Sequence, residues 1–266
     1  MAFPKFTMKE LIEAGVHFGH HTRRWNPKMA PFVFGVKDKV HIIDLQKTVP
    51  MLHSGLVAIR NAVAKGGKVL FVGTKAQARD IIKESAELCG QYYVNKRWLG
   101  GLLTNWKTVV NSIRKMKKMK ADILRQEELG LTKKEIGQME KEIVKLEDVL
   151  GGVMDMNGAP SIVFVVDVSK EDLAVVDANK LGIPVVGICD TNADPTNVSY
   201  PVPGNDDAIK AIRLYCDLAV KAVLDGLEEQ LKNSGADLGA ALAPKDVKNN
   251  AKAVEKTVAE ETSAAE

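Results

Sequence analysis

Two short stretches constrain this chain more than any other. Val69-Leu70-Phe71-Val72 and Ile162-Val163-Phe164-Val165-Val166 are apolar at every position. A strand wetted on one face alternates apolar and polar residues, because successive side chains point to opposite faces. A strand with no polar position must be covered on both faces, as in a parallel sheet flanked by helices. Further apolar runs at Val40–Ile43, Tyr92–Val94, Val185–Ile188 and, more weakly, Val198–Val202 alternate with helical patterns through about residue 225. This rhythm predicts an α/β fold with a doubly wound, mostly parallel sheet.

The punctuation agrees. Thr7-Met8-Lys9-Glu10, Thr74-Lys75-Ala76-Gln77 and Ser169-Lys170-Glu171-Asp172 read as capping boxes, in which the first side chain accepts from a free backbone N–H and the fourth reaches back. Gly66-Gly67, Gly90 and Gly182 stand where helices should stop. The stretch 104–150 departs from the rhythm. Val109, Ile113, Met116, Met119 and Ile123, then Ile136, Met139, Ile143, Leu146 and Leu150, recur at intervals of three and four. Both are narrow seams of the coiled-coil kind. Gly130 between them can end one helix, and Thr132-Lys133-Lys134-Glu135 can cap the next. The expected organisation is an α/β domain over 1–103 and 151–225, a protruding antiparallel helical hairpin inserted over 104–150, and a mostly disordered acidic, alanine-rich tail over 226–266.

Charge is segregated along the chain. Residues 1–120 hold 22 Lys and Arg against 7 Asp and Glu, a net of +15, and the remainder brings the total down to +3. One half is suited to meet a polyanion. No apolar run approaches the roughly 18–20 residues of a membrane span. The first ten residues lack the apolar stretch of a signal peptide. Three widely spaced cysteines, Cys89, Cys189 and Cys216, suit buried thiols in a reducing compartment, so a cytoplasmic protein without a membrane partner is expected.

Three kinds of site compete. Gly73-Thr74-Lys75 follows an apolar strand and opens a helix, where a phosphate can meet free N–H groups. A flavodoxin-like enzyme holding a phosphorylated ligand there is the alternative reading, although neither a P-loop nor a dinucleotide-binding fingerprint is present. His20, Asp190 and Asp206 can meet at the carboxyl ends of the strands and share a cation. A simpler account has Asp190 and Asp194 making turn hydrogen bonds, Asn205 capping a helix and Asp206 and Asp207 favouring its dipole, and His20 and His21 read as loop residues. No catalytic residue, metal or cofactor is assigned.

Nucleic-acid signals are denser. Arg23, Arg24 and Lys28 surround Trp25, Lys37 and Lys39 flank a turn, and Lys96 and Arg97 precede Trp98 and a Gly-Gly pair. Lys107, Arg114, Lys115, Lys117, Lys118 and Lys120 line the first hairpin helix. Cations neutralise phosphates, while indoles stack on unpaired bases or order their loops. With no base-reading motif, the expected partner is a folded RNA recognised by shape.

Over about residues 5–225 the chain resembles the family of bacterial small ribosomal subunit protein two. The likeness lies in Leu11-Ile12-Glu13-Ala14-Gly15-Val16-His17-Phe18-Gly19-His20, Arg24-Trp25-Asn26-Pro27-Lys28-Met29, Arg97-Trp98-Leu99-Gly100-Gly101, Asp190-Thr191-Asn192 and Pro203-Gly204-Asn205-Asp206-Asp207. The resemblance implies a flavodoxin-like domain with a projecting coiled-coil hairpin and a structural, non-enzymatic role. It also implies small-subunit rRNA and neighbouring small-subunit proteins as partners, including the large mRNA-binding protein one. Asp177 stands where the family pattern has Glu, and Cys189 where an aliphatic residue is expected.

Overall fold

The computed structural model describes residues 3–125 and 130–233. The chain divides into two compact units, Met1–Glu228 and Glu229–Glu266. Of the second, only residues 229–233 are described, all of them helical. The expected disordered tail therefore lies almost wholly outside the described residues.

The first unit opens with α1 (Met8–Glu13), whose expected capping box forms between Thr7 and Glu10. A three-stranded antiparallel sheet follows, built from β1 (Phe18–His21), β2 (Val33–Lys37) and β3 (Val40–Ile43) in the order β1-β3-β2. Val40–Ile43 was expected to join the parallel sheet, and here the structure corrects the reading. Its burial alternates along the strand, as in a sheet covered on one face, and His41 within the run is the polar interruption that distinguishes it from the continuous runs. His20 and His21 belong to β1 and not to a loop.

After α2 (Leu45–Ala64) come β4 (Val69–Val72), α3 (Arg79–Leu88) and β5 (Tyr92–Val94). The helices α4 (Trp106–Leu124) and α5 (Lys133–Leu150) intervene before β6 (Ile162–Val166). The chain then forms α6 (Asp172–Lys180), β7 (Val185–Cys189), β8 (Tyr200–Pro203) and α7 (Ile209–Asn233). The second sheet is parallel throughout, in the order β5-β4-β6-β7-β8. Counted within that sheet, the order is 2-1-3-4-5, the flavodoxin-like doubly wound arrangement. β8, an edge strand paired only to β7, tolerates Pro201 and Pro203 and lies slightly beyond the expected 198–202.

Alternate residues of each central strand feed two separate cores. Phe71, Phe164, Ile188 and Val202 pack with Leu56 and Ile59 of α2, Ile82 of α3 and Tyr215 of α7. Leu70, Val72, Val163 and Val165 pack on the other face with Ala174 and Val175 of α6, Trp98 and Leu102. All residues of β4 and β6 are buried, and full burial of each such side chain is worth about 1.5–3 kcal/mol. Double coverage is thus the reason these two runs carry no polar position.

The second core also takes Val109 and Ile113 from early α4 and Leu150 from the end of α5. Both helices are therefore rooted at the same place and run antiparallel. Farther out Met116 and Met119 pack on Ile143, flanked by Ile123 and Leu146. α5 begins with the expected Thr132–Glu135 capping box. Two other expected boxes do not form. α3 starts only at Arg79, leaving Thr74 in the preceding loop, and α6 has no side-chain cap. α7 continues past the expected limit at 225 because Leu224 and Leu227 prolong its apolar face. Among the described residues no helix is long and apolar enough to cross a membrane.

Candidate nucleic-acid interface

The basic N-terminal segments meet at one end of the antiparallel sheet. β2 and β3 are joined through Asp38 and Lys39, both at positive φ, with Lys37 opposite Val40. That is the tight two-residue connection whose twist suits a hairpin. The helical turn Thr22–Arg24 follows β1 directly. The Thr22 N–H donates to the Lys39 carbonyl at 3.0 Å, and the His21 ring lies 3.3 Å from the same oxygen. Arg23 and Arg24 are thereby held beside Lys37 and Lys39. All four are exposed, and none makes an ion pair among the described residues. Trp25 beside them is 40% exposed and stacks on His41 with 5.2 Å between ring centroids.

The remaining expected cations divide into two groups. Arg97, Lys107 and Lys118 are exposed and free of ion pairs among the described residues, and Arg114 bonds only to Asn111 at 3.3 Å. The others are engaged internally. Lys28 lies 2.6 Å from Asp194, a contact that pulls the Asp194 pKa down to about 2. Lys96 meets Asp148 at 3.7 Å, Lys117 meets Asp155 at 3.2 Å, and Lys115 and Lys120 pair with Glu142 and Glu147 of α5. These exposed pairs are weak, and a phosphate can compete for them, but each must first be broken.

Of the two roles expected for Trp98, stacking on a base or ordering its loop, its burial fits the second. It is only 5% exposed and sits in the second core, where its indole N–H faces the Asp177 carboxylate at 3.3 Å. The same carboxylate accepts from the Gly101 N–H at 2.9 Å and the Thr104 hydroxyl at 3.3 Å. Trp98 therefore orders its loop and leaves Arg97 alone on the surface. Asp177, noted in the sequence only as a departure from the family pattern, is a positioning residue. The sequence signal for that role is an acid among Ala174, Val175 and Ala178 on the buried side of α6.

The turn after β4 tests the alternative reading. Glu171 Oε1 accepts from the Thr74 N–H at 2.9 Å and from the Thr74 hydroxyl. Burial raises the Glu171 pKa. Lys75 is bound by Asp206 at 2.7 Å, by Asp207, and by Asp167 at 3.4 Å. Burial works against the Lys75 ammonium, but these carboxylates outweigh it and raise its pKa. A Cβ on Gly73 would come within 3.0 Å of Ile82, so this glycine serves close packing between strand and helix. The chain's own carboxylates fill the seat and neutralise the lysine a phosphate would need.

Beside this network His20 Nδ1 lies 2.9 Å from Asp190, and His20 Nε2 lies 3.5 Å from Asp207. The Asp190 carboxylate raises the imidazole pKa against the effect of burial. Asp206 is fully buried, its Oδ2 has no hydrogen-bond partner, and burial pushes its pKa up to about 7. His20, Asp190 and Asp206 offer ligand atoms within 4.8 Å of one another, the set among the described residues with the geometry to hold a cation. Asp190 accepts from the Thr191 N–H and Asp194 from Thr196, as turn residues do, and Asn205 Oδ1 accepts from the N–H groups of Asp207 and Ala208. Asp206 is instead engaged by Lys75.

The profile of the family described as "Ribosomal protein S2" matches residues 11–226, spanning both sheets and the α4–α5 pair. The chain belongs to the ribosomal protein S2 family. Relatives named "Small ribosomal subunit protein uS2" cover nearly its whole length. That of Granulibacter bethesdensis is 59% identical over 246 residues, 92% of this chain and 95% of that protein. That of Gluconacetobacter diazotrophicus is 60% identical over 241 residues, 91% and 92% of the two chains. That of Paramagnetospirillum magneticum is 55% identical over 264 residues, 99% of each. The S2 family is one of structural, non-enzymatic proteins of the small ribosomal subunit.

Proposed function

We propose that this protein is a constituent of the small ribosomal subunit that holds rRNA electrostatically. The observation that carries the reading is the group of four exposed cations, Arg23, Arg24, Lys37 and Lys39, gathered at one sheet end and left out of every internal ion pair among the described residues. Folding rarely leaves like charges so close without an external anion to meet them, since repulsion between them costs stability. Arg97, Lys107, Arg114 and Lys118 extend the same contact, and the part-exposed Trp25 offers ring surface for stacking on a base or sugar. Lys28, Lys96, Lys115 and Lys117 contribute less, being engaged with carboxylates. Helices α4 and α5 act as the hairpin inserted over 104–150, and the α/β body over 1–103 and 151–225 is the platform. Neighbouring small-subunit proteins, the mRNA-binding protein one among them, dock against it.

The test is the salt dependence of binding to small-subunit rRNA. Each phosphate contact contributes about 0.7–0.9 to the slope of log K against log salt. R23Q/R24Q/K37Q/K39Q is expected to lower that slope by about 3 units. K28Q/K96Q/K115Q/K117Q is expected to lower it by about 1 or less. Equal losses from the two sets would refute the assignment.

A further inference from the structure

Ion pairing between α4 and α5 rewrites the charge that each helix shows to its surroundings. By composition α5 looks slightly acidic, with Lys133, Lys134, Lys141 and Lys145 against Glu135, Glu140, Glu142, Glu147 and Asp148. Three of those five acids are paired with lysines outside the helix. Glu142 and Glu147 meet lysines of α4 and Asp148 meets Lys96, while Glu135 keeps its charge in the capping box and Glu140 is exposed without an ion pair among the described residues. None of the four lysines makes an ion pair among the described residues, and all four are exposed. Four unpaired lysines against Glu135 and Glu140 leave the outward side of α5 with a net positive charge, although its composition is slightly acidic.

The placement is regular. Lys134, Lys141 and Lys145 are separated by seven and then four residues, and Lys107, Arg114 and Lys118 of α4 repeat that spacing. At 3.6 residues per turn each triad forms one row, with gaps of about 10 and 6 Å along the helix. Each row lies opposite the seam that its helix buries, on Ile143 and Leu150 for α5 and on Val109, Ile113 and Met116 for α4. The two rows consequently face away from each other, about 20 Å apart across two helix diameters. Like charges at i and i+4, as in Lys141/Lys145 and Arg114/Lys118, weaken a helix unless an outside anion relieves them.

We propose that the α4–α5 pair is held between two separate RNA segments, with Lys134, Lys141 and Lys145 contacting a second row of phosphates that the N-terminal cations do not reach. This deepens the rRNA reading and rests on it. RNA is the better partner because protein interfaces are depleted in lysine and need a buried apolar or aromatic anchor. Neither row contains one. A flat anionic surface cannot touch two opposed faces at once, whereas two RNA segments can.

The experiment is directed hydroxyl-radical cleavage in reconstituted small subunits, with iron–EDTA tethered at K118C or K141C in the full chain. The three native cysteines are buried and do not compete for the tether. The expected result is two non-overlapping patches of rRNA cleavage, one from each site. In the same preparation K134Q/K141Q/K145Q should lower the salt slope by about 2 units. Cleavage from K118C alone, overlapping patches, or an unchanged slope overturns the proposal and leaves the rRNA reading standing. A wild-type chain that fails to sediment with the subunit, with no cleavage from either site, overturns both.

Discussion

Replacing Asp177 is expected to loosen the loop that links the parallel sheet to α4. Its carboxylate is 6% exposed and accepts three hydrogen bonds, from Gly101 at 2.9 Å and from Trp98 and Thr104 at 3.3 Å. A hydrogen bond to a charged group contributes about 1.5–3 kcal/mol, and a buried donor left without a partner costs about 1–3 kcal/mol. Taking the short bond in full, the two long ones at half weight, and crediting the carboxylate's relief from burial, Asp177→Ala should cost about 3 kcal/mol. At about 2–4 °C per kcal/mol for a chain of this size, Tm should fall by roughly 6–12 °C. Asp177→Asn keeps an acceptor for Gly101 and should lose about half as much. Thermal unfolding of the full chain measures the total, and amide exchange across residues 97–104 locates it. A Tm within 2 °C of wild type for the alanine variant, taking roughly 2–4 °C per kcal/mol, would show that Trp98 is held by its apolar neighbours alone.

Two further expectations concern buried titrating groups. Burial pushes the thiols of Cys89, Cys189 and Cys216 up to about 12. None should react with a thiol reagent at pH 8 in the folded chain and all three should react in denaturant, whereas rapid labelling of the native protein would contradict their placement. The Glu171 pKa is raised above 4.5 by burial, so the fold favours the protonated acid. Its stabilising contribution is complete below the ordinary carboxylate range and declines as pH rises through the raised folded value. Glu171→Gln keeps an acceptor for the Thr74 N–H and should flatten stability against pH in that window. Identical curves for variant and wild type would exclude an ionisable role for this carboxylate.

Much of the fold is readable from local pattern. Val69–Val72 and Ile162–Val166 announce doubly covered strands because pleating puts every second side chain on the opposite face, and neither face meets water. Thr7 with Glu10 and Thr132 with Glu135 announce helix starts because a cap involves residues only three apart. The same local pattern misleads at Thr74, whose hydroxyl is taken by Glu171, 97 residues away. It misleads again at Val40–Ile43, where a short, mostly apolar stretch reads as one more strand of the parallel sheet although His41 interrupts it and its burial alternates.

The candidate interface divides along the same line. Composition alone locates the excess of cations in the first 120 residues and directs attention to a polyanionic partner. Tertiary structure decides which of those cations face outward. Lys28 is engaged by Asp194, 166 residues away, and Lys115 by Glu142, 27 residues away. Trp98 is withdrawn into the core while Arg97 stays on the surface, and α5 emerges with a basic face that its composition conceals. Periodicity and capping act between residues close along the chain, so they are written in the sequence. Charge pairing acts through space between residues far apart in the chain, so only the folded arrangement reveals what remains to meet a partner.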